Sequence, residues 1–484
     1  MTPNPELAPA PNRLLLGEDE RAALWSALTA EIESFLRDVP SLPVAPRLDA
    51  QAIRAWIDAA DFAVPVAPAD AVQRTARMMR THQVHMGNPR YFGLFNPSPT
   101  TMSVAADALV AAFNPQLAAW ARSPFAVEIE NALLRRFGER FGLDPAATGG
   151  SFTTGGAEAN LTALATALAA RVPGWAQHGL NGTTPRIYCS SEAHESMRKA
   201  ARLCGLGTGN VVRIAVDGRY AMRARDAAAA IAADRRAGLL PVMLVGTAGT
   251  TTTGAIDPLR ELAAIAERDG LWFHADAAWG GFAALLPETR DLLGGIERAD
   301  SIAFDAHKML SVAMGAGMFI TRHPHLLPQV FGSSAGYMPV DHLDPRDDPY
   351  SYSIQWSRRF TGLKLFLSLL VAGWDGYRDA IRGQIALGDR LRAGLLDDGW
   401  EIVNATPLPV MCFSMPHFGR DDLVALADAV VAGGRAWISF CTLSGGVPAL
   451  RACVTSHRTT ADDVDELIAL LHAAREQCAH PAPA

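Results

Sequence analysis

The sequence predicts an α/β protein built on a mostly parallel β-sheet with helices on both faces. Short apolar runs of strand length alternate with helical stretches from about residue 150 to residue 321, and this alternation is typical of such folds. The strand-like runs cover 185–190, 211–216, 241–247, 271–276, 301–305 and 316–321. The helical stretches between them include 157–170, 223–237 and 257–268. Residues with reactive side chains follow several of these runs, which is where ligands bind in open parallel sheets.

The two ends of the chain have a different pattern. Residues 1–85 contain helical patterns and no strand-like run, so we expect an N-terminal helical arm. Its helical patterns cover 18–39, 50–60 and 69–85. After residue 370, helices and strands mix in an order that predicts a smaller α+β domain. Its helices are expected at 375–396, 420–432 and 461–476, and its strands at 400–404, 409–415 and 449–455. We therefore expect an arm (1–85), a large domain (86–370) and a small C-terminal domain (371–484).

The composition of the chain excludes several functional classes. With 484 residues, 49% hydrophobic and 19% charged, the chain is typical of a globular enzyme. A net charge of -7 does not favour nucleic acid or an anionic membrane as a partner. The six cysteines form no C-x-x-C pair, so we expect neither a metal site nor a disulfide framework. No apolar run is long enough to span a bilayer and no signal peptide is evident, so we expect a cytoplasmic protein.

The segment from Ser301 to Leu310 is the most informative stretch. It begins as an apolar strand and then places Asp305, His307 and Lys308 where the run ends. A lysine directly behind a buried strand is unfavourable unless its charge is used or neutralised. Enzymes use such a lysine to form a Schiff base with an aldehyde, of which pyridoxal 5'-phosphate (PLP) is the best-known example. The alternative is a surface lysine at a strand end.

Other strand ends offer groups that suit the remaining parts of PLP. Gly155, Gly156 and Ala157 lie between a strand and a helix, where free backbone N–H groups suit a phosphate. His194 follows the run at 185–190 and could stack on a flat ring. Taken singly, the glycines are also compatible with an ordinary tight loop, and the histidine with a surface or capping residue.

Two further strand ends complete the set. Four threonines, Thr250 to Thr253, supply hydroxyl groups after the run at 241–247. Asp276 lies inside an apolar run, and a buried carboxylate needs a cationic partner such as a protonated pyridine nitrogen. The alternative for Asp276 is a structural role at the start of the next helix. Together these groups suit every part of PLP, so their combination predicts this cofactor.

The order and spacing of these residues resemble the PLP-dependent group II amino-acid decarboxylases of fold type I. The resemblance extends over roughly residues 75 to 470 and implies a seven-stranded sheet in the large domain. Lys308 resembles the Schiff-base lysine, His194 the ring-stacking histidine and Asp276 the partner of the pyridine nitrogen. The remaining matches to the cofactor site are Gly155, Gly156 and Ala157 near the phosphate, Thr251 near the phenolic oxygen, Ala278 under the ring, and Asp305 and His307 beside the lysine.

The resemblance also implies residues that contact the substrate. Arg451 resembles the arginine that binds the substrate carboxylate, and a bidentate arginine suits that group. Tyr337 resembles the tyrosine of a catalytic loop that donates a proton to the α-carbon. Phe95 and Trp120 lie in two segments, 90–97 and 114–124, that by analogy face the cofactor of a partner subunit.

Some positions depart from the pattern of the aromatic decarboxylases. Asp305 stands where many relatives have asparagine, although diaminobutyrate and archaeal tyrosine decarboxylases also have aspartate there. Leu94 and Ala118 replace an aromatic and a bulky side chain, and the phosphate turn has fewer hydroxyl groups. The substrate is therefore left open among aromatic, acidic and aliphatic amino acids.

The resemblance implies a homodimeric L-amino-acid α-decarboxylase that releases carbon dioxide and an amine from a small-molecule substrate. Its catalytic residues would be Lys308, His194, Asp276 and Tyr337. Three alternatives remain open, of which the simplest is a generic α/β protein with no cofactor. The second is another PLP reaction on the same scaffold, such as aldehyde synthesis, transamination or a lyase step. The third is a catalytically silent homologue that acts as a binding partner.

Overall fold

The computed structural model describes Asn12 and residues 14–333 and 348–479. Its largest element is a seven-stranded sheet with the strand order β1-β7-β6-β5-β4-β2-β3. Strand β7 is antiparallel to both neighbours, and the other pairings are parallel. The strands are β1 (Gly149–Thr153), β2 (Pro185–Ser190), β3 (Val211–Ile214), β4 (Leu240–Thr247), β5 (Trp272–Asp276), β6 (Ser301–Asp305) and β7 (Gly317–Thr321). The predicted fold class, a mostly parallel seven-stranded sheet, is confirmed.

Helices cover both faces of this sheet. The helices of the described residues are α1 (Glu18–Asp38), α2 (Ala50–Asp58), α3 (Pro68–Thr81), α4 (Thr101–Phe113), α5 (Pro124–Arg140), α6 (Gly156–Arg171), α7 (Trp175–His178), α8 (Ser196–Leu203), α9 (Ala224–Arg236), α10 (Leu259–Asp269), α11 (Leu327–Phe331), α12 (Leu363–Asp397), α13 (Arg420–Ala432) and α14 (Ala461–Ala479). Helices α6 and α8 pack on one face, where Met243 and Val245 point. Helices α5, α9 and α10 pack on the other, where Leu244 points. Because helices cover both faces of the sheet, the sequence of β4 is a nearly continuous apolar run.

A second, smaller sheet lies in the C-terminal part of the chain. It has four antiparallel strands in the order β10-β11-β9-β8. They are β8 (Glu401–Ile402), β9 (Val410–Ser414), β10 (Ser439–Leu443) and β11 (Val447–Cys453). Helices α13 and α14 and the C-terminal half of α12 share one apolar core with this sheet. The predicted α+β character is confirmed, but the sequence did not predict β10.

The N-terminal arm is helical, as predicted, and consists of α1, α2 and α3. None of these three helices contains a buried residue, although α1 packs against α3. The division of the chain at residues 85 and 370 stays a prediction. Near the second boundary, helix α12 is interrupted at Gly373, which has φ 63° and ψ 176°. Within the described residues, no helix is both long and apolar enough to cross a membrane.

Candidate active site

The residues predicted from the strand ends line one edge of the large sheet. The register pairs Thr247 of β4 with Asp276 of β5, which are the last residues of two parallel strands. Gly317 begins the antiparallel strand β7 and is paired with both Thr153 of β1 and Asp305 of β6. The carboxyl ends of β1, β4, β5 and β6 and the start of β7 therefore lie along one edge of the sheet.

Lys308 lies just after β6 in a short turn, next to two titratable groups. Its Nζ is 3.1 Å from the Asp305 carboxylate, which is fully buried. The Nε2 atom of His307 is 3.8 Å from the same carboxylate, and burial lowers the pKa of His307. The backbone N–H of Ala316 donates to Nδ1 of His307, so the proton of the neutral ring is on Nε2. Asp305 thus offsets the charge that makes a lysine at this position unfavourable.

Lysine is rare in this chain, which narrows the choice of a Schiff-base residue. The sequence contains 43 arginines and lysines, and only three of them are lysines: Lys199, Lys308 and Lys364. Lys364 is buried, donates to the Met314 carbonyl at 2.8 Å and pairs with Asp107 at 3.3 Å. Lys199 lies exposed on α8. Of the three, Lys308 combines partial exposure with a position at the sheet edge.

A small cradle lies between β1, α6 and β7. A Cβ atom on Gly156 would lie 3.0 Å from Ala278 Cβ and 3.2 Å from the Asp305 carboxylate, and one on Gly155 would be 3.4 Å from the His307 ring. A Cβ on Gly317 would be 2.6 Å from the Cα of Gly155. The glycines therefore keep open a space at the start of α6, where the first N–H groups have no acceptor within the helix. Such a space suits a phosphate group.

Asp276 is buried and its carboxylate accepts two hydrogen bonds. One comes from the side-chain amide of Asn160 at 2.9 Å and the other from the backbone N–H of Ala278 at 3.2 Å. His194, which is exposed, accepts a backbone hydrogen bond at Nδ1 from Ser196 at 3.2 Å, and the Ser196 hydroxyl lies 2.9 Å from the same atom. Asp276 and His194 are connected through Asn160 and Ser196, since the Asn160 amide also donates to the Ser196 hydroxyl at 2.8 Å.

Arg451 lies on β11 of the small sheet and extends to the large one. Its Nε donates to the carbonyls of Thr251 and Thr252 at 3.1 Å, and its Nη1 donates to the carbonyl of Gly93. The Nη2 atom is buried and has no hydrogen-bond partner among the described residues. A buried guanidinium nitrogen without a partner is unfavourable. An anion placed at Nη2 would correct this and would match the chemistry of a carboxylate.

The Phe95 side chain is buried between the guanidinium of Arg451 and the indole of Trp279, so it is not an exposed pocket wall. The guanidinium of Arg451 lies 4.7 Å from the centre of the Phe95 ring. The Phe95 ring also stacks on Trp279, with the ring centres 4.1 Å apart and the two ring planes at an angle of 11°. Phe95 therefore orients the Arg451 side chain through a cation–π contact.

The remaining predicted site residues make few or no contacts with the groups described above, within the part of the chain that the structure describes. Thr250 and Thr253 bond each other through their hydroxyls at 2.7 Å, so of the four threonines Thr251 and Thr252 remain partly exposed. Trp120 is half-buried and its indole donates to Glu128 at 2.9 Å. Ala157 is exposed at the start of α6. Tyr337 lies outside the described residues.

Sequence reasoning missed the side chains that connect the predicted ones. Asn160, Ser196 and Trp279 were not assigned a role, although each contacts a predicted site residue. The scarcity of lysine was a signal in the sequence that could have strengthened the choice of Lys308. No comparable signal marked Asn160, which is 116 positions away from Asp276 along the chain.

The fold and this edge define a class of protein, a PLP enzyme with a large and a small sheet. Residues 59–416, about three quarters of the chain, match the family model described as "Pyridoxal-dependent decarboxylase conserved domain". The chain belongs to the pyridoxal-dependent decarboxylase family. It is a carboxy-lyase, and PLP is its cofactor.

Relatives of known activity carry out decarboxylation of different amino acids. The chain is 31% identical to acidic amino acid decarboxylase GADL1 of Mus musculus over 405 residues, which are 80% of this chain and 73% of the relative. It is 32% identical to tyrosine decarboxylase of Oryza sativa subsp. japonica over 418 residues, 83% and 78% of the two chains. The similarity to an acidic and to an aromatic decarboxylase is nearly equal, so sequence identity does not choose a substrate.

Solved structures with the same fold cover nearly the whole chain. The structure of mouse CSAD has a TM-score of 0.88 at 25% identity and covers 95% of this chain and 99% of its own. The structure of Oryza sativa TDC with PLP and tryptamine has a TM-score of 0.89 at 24% identity, covering 96% and 99%. At these identities the second likeness shows the fold alone.

The residues at the sheet edge fit PLP. The glycine cradle is closed to any side chain larger than hydrogen, which suits a phosphate. Asp276 is a buried carboxylate, which suits a pyridine nitrogen that carries a proton. A carboxylate oxygen of Asp305, Oδ1, is buried without a partner among the described residues and faces this cradle, where a bound group or water would satisfy it.

Proposed function

We propose that this protein is an L-amino-acid α-decarboxylase, which releases carbon dioxide and leaves an amine. The observation that carries the proposal is Arg451, a buried arginine with one guanidinium nitrogen unpaired among the described residues. It is held by carbonyl groups of the segment that contains Thr251. A carboxylate bound at this nitrogen would fix the orientation of an amino acid whose amine approaches Lys308. Holding the substrate by two points determines which bond at the α-carbon is broken.

The residues that hold the cofactor are assigned by their chemistry. Lys308 would bind it through Nζ, and the cradle of Gly155, Gly156 and Ala157, with His307 beside it, would bind the phosphate. Asp276 would pair with the pyridine nitrogen. The proposed contacts on the rest of the ring are His194 and Ala278 on its faces, Thr251 at its oxygen and Asp305 beside the lysine.

The chemistry divides between the cofactor and the chain. When bound, PLP supplies an electrophilic carbon for the substrate amine and a ring that accepts the electrons of the broken bond. Asp276 holds a proton at the pyridine nitrogen, because a buried carboxylate stabilises the cation beside it. His194 carries a proton on Nε2, and Tyr337 or His194 would return a proton to the α-carbon. Lys308 accepts and returns a proton at Nζ as substrate replaces it and product leaves.

The substrate class is the part that the relatives do not determine. Leu94 is exposed and Ala118 is buried, so neither supplies the bulky side chain expected of a close copy of the aromatic enzymes. Of the predicted substrate contacts, Phe95 is buried between Arg451 and Trp279, and Trp120 donates its indole N–H to Glu128. Neither contact favours one class of side chain, so aromatic, acidic and aliphatic amino acids all stay candidates for the substrate.

The experiment is a panel of aromatic, acidic and aliphatic L-amino acids supplied to the PLP-loaded protein. Carbon dioxide and the organic product are quantified together, and the product is identified by mass. The proposal predicts equal amounts of carbon dioxide and amine from one class, and no hydrogen peroxide or aldehyde. Aldehyde with peroxide, or a keto acid without carbon dioxide, would contradict it. A Lys308→Ala protein that kept its turnover would contradict the assignment of the lysine.

We also propose that two copies of the chain form a homodimer. Helices α4 and α12 pack against each other and together expose four large apolar side chains, Leu109, Phe113, Leu370 and Val371. Phe113 is 81% exposed, which is unfavourable for a phenylalanine in water. A second copy that covers this surface would remove that exposure, and the segments at 90–97 and 114–124 would then contribute to the site of the partner. A cytoplasmic location stays a prediction.

A further inference from the structure

The amide of Asn160 is the centre of a buried hydrogen-bond chain. Its Nδ2 donates to Asp276 at 2.9 Å and to the Ser196 hydroxyl at 2.8 Å, and its Oδ1 lies 2.8 Å from Nε2 of His274. A carboxylate only accepts hydrogen bonds, so Asp276 requires the NH₂ group on its side. The carbonyl oxygen of Asn160 must then face His274, whose Nε2 therefore carries a hydrogen.

The hydrogen bonds on the Nδ1 side of His274 are compatible with the same protonation state of this ring. The indole N–H of Trp272 can only donate, and it donates to the Ser301 hydroxyl at 2.8 Å. The hydrogen of that hydroxyl is left available for Nδ1 of His274, which is 2.8 Å away. His274 is thus neutral, with its hydrogen on Nε2, and burial lowers the pKa of His274 to about 4. The contacts of Asp276 and Asn160 require this tautomer, and the contact between Trp272 and Ser301 is compatible with it.

A second branch leads from Asn160 to His194. The Ser196 hydroxyl accepts from Asn160, so its own hydrogen is free to point at Nδ1 of His194, at 2.9 Å. The backbone N–H of Ser196 donates to the same nitrogen at 3.2 Å. The Nδ1 atom of His194 therefore accepts, and the ring hydrogen is on Nε2, the nitrogen that has no partner in this chain of bonds.

We propose that Asn160 and His274 are positioning residues that set the hydrogen-bond direction at both Asp276 and His194. This inference rests on the proposed roles of Asp276 and His194. His274 donates to Asn160, and Asn160 in turn donates to both branches, so one neutral histidine orients the pyridine partner and, through Ser196, supports the Nε2–H tautomer of the ring-stacking histidine. Outer hydrogen bonds of this kind strengthen the donors that follow them, because each bond polarises the next.

A purely packing role would give a different response to substitution. Gln places an N–H near the position of His Nε2, whereas Phe keeps the ring shape and removes both nitrogens. We expect His274→Gln to bind PLP like the wild type and His274→Phe to bind it roughly tenfold or more weakly, since a hydrogen bond to a charged group is disturbed. Equal affinity in both variants would overturn the proposal, as would tighter binding by the Phe variant.

The matched control is Thr166→Ala on the same helix as Asn160. Thr166 is buried and its hydroxyl donates to the Thr162 carbonyl at 2.7 Å, outside the chain of bonds. This variant should leave the affinity for PLP and the pH dependence of the bound-cofactor absorbance unchanged. If Thr166→Ala weakened the binding of PLP as much as His274→Phe does, the loss of any buried polar group in this region would explain both effects. The proposal would then be wrong.

A direct measurement reads the tautomers without activity. In PLP-loaded protein labelled with ¹⁵N at histidine, His274 and His194 should each give the neutral pattern with hydrogen on Nε2 at pH 7. Ser196→Ala, a mild change, should move the Nδ1 signal of His194 and leave that of His274 in place. A hydrogen on Nδ1 of His274 would overturn the proposal even if His274→Phe fails to fold. Loss of amine formation with these signals intact would instead contradict the proposed function.

Discussion

At the scale of single residues, the sequence predicted the groups with reactive side chains and missed those that hold them. Lys308, Asp276 and His194 were identified because an acid, a base or an amine at the end of an apolar run is unusual. Asn160 and His274 contact each other although they are 114 positions apart in the sequence. Spacing along the chain contains no information about such a contact, so it could not be predicted.

Arg451 offers a test of the proposed substrate contact. Arg451→Lys keeps the positive charge and removes the planar fork and the contact with Phe95. We expect the KM for the amino acid to rise roughly 10- to 100-fold, the range for a lost charged hydrogen bond. Inhibition by the amine product, which has no carboxylate, should not change. An equal loss of amine binding would show that the pocket had collapsed and would contradict the role of Arg451.

His274 also makes stability depend on pH. Burial lowers the pKa of His274 from 6.5 to about 4, so the unfolded chain binds a proton that the folded one does not. Protonation of His274 therefore does not affect the free energy of unfolding above pH 6.5, and it lowers this free energy as the pH falls toward 4. The free energy of unfolding of His274→Gln should therefore fall less between pH 7 and about pH 5 than that of the wild type. His178→Gln, at an exposed position, is the control, and a pH dependence unchanged by His274→Gln would contradict the assignment.

At the scale of elements, the sequence predicted the strands that are buried on both faces. The run at 301–305 coincides with β6, and 185–190 coincides with β2. Strand β10 was missed because it lies at the edge of the small sheet and is half-exposed, so its residues do not form an apolar run. Helices α4, α5 and α8 were also not assigned from the sequence.

The break in helix α12 depends on one glycine. Gly373 has φ 63° and ψ 176°, a conformation that residues with a side chain rarely adopt. Gly373→Ala should destabilise the protein by about 1 to 3 kcal/mol, the usual size of such backbone strain. A steric clash would add nothing to this value, because no neighbouring atom lies within 4 Å of the added Cβ. Gly383→Ala, in the same helix with the same free space and a helical backbone, should stabilise by about 0.5 to 1 kcal/mol. Urea unfolding of the two variants compares them, and a destabilisation by both would contradict the account of the break.

At the scale of the whole molecule, the fold class was predictable and the assembly was not. The alternation of strands and helices is a local property of the sequence, whereas a dimer surface depends on which side chains the fold leaves exposed. Leu109 and Leu370 are ordinary helix residues until α4 and α12 are packed together. Their exposure is thus visible only in the structure.

The proposed dimer surface can be tested by measuring the molecular mass of the protein in solution. Sedimentation should give about twice the 51.6 kDa of one chain for the wild type. Phe113→Lys places a charge in the proposed interface and should shift the protein toward the monomer. Leu203→Lys, at a similarly exposed apolar position on α8, should not. A monomeric wild type, or a dimer that Phe113→Lys does not weaken, would contradict the proposed surface.

Lys308 holds the cofactor in the PLP site that we assign to the strand ends. The most direct measurement is reduction of the PLP-loaded protein with borohydride, followed by peptide mass analysis. Reduction fixes the cofactor on the lysine that carries it, and the chain offers only three lysines. We predict the label on Lys308 and none on Lys199 or Lys364. A label on either of the other two, or none on any, would contradict the account.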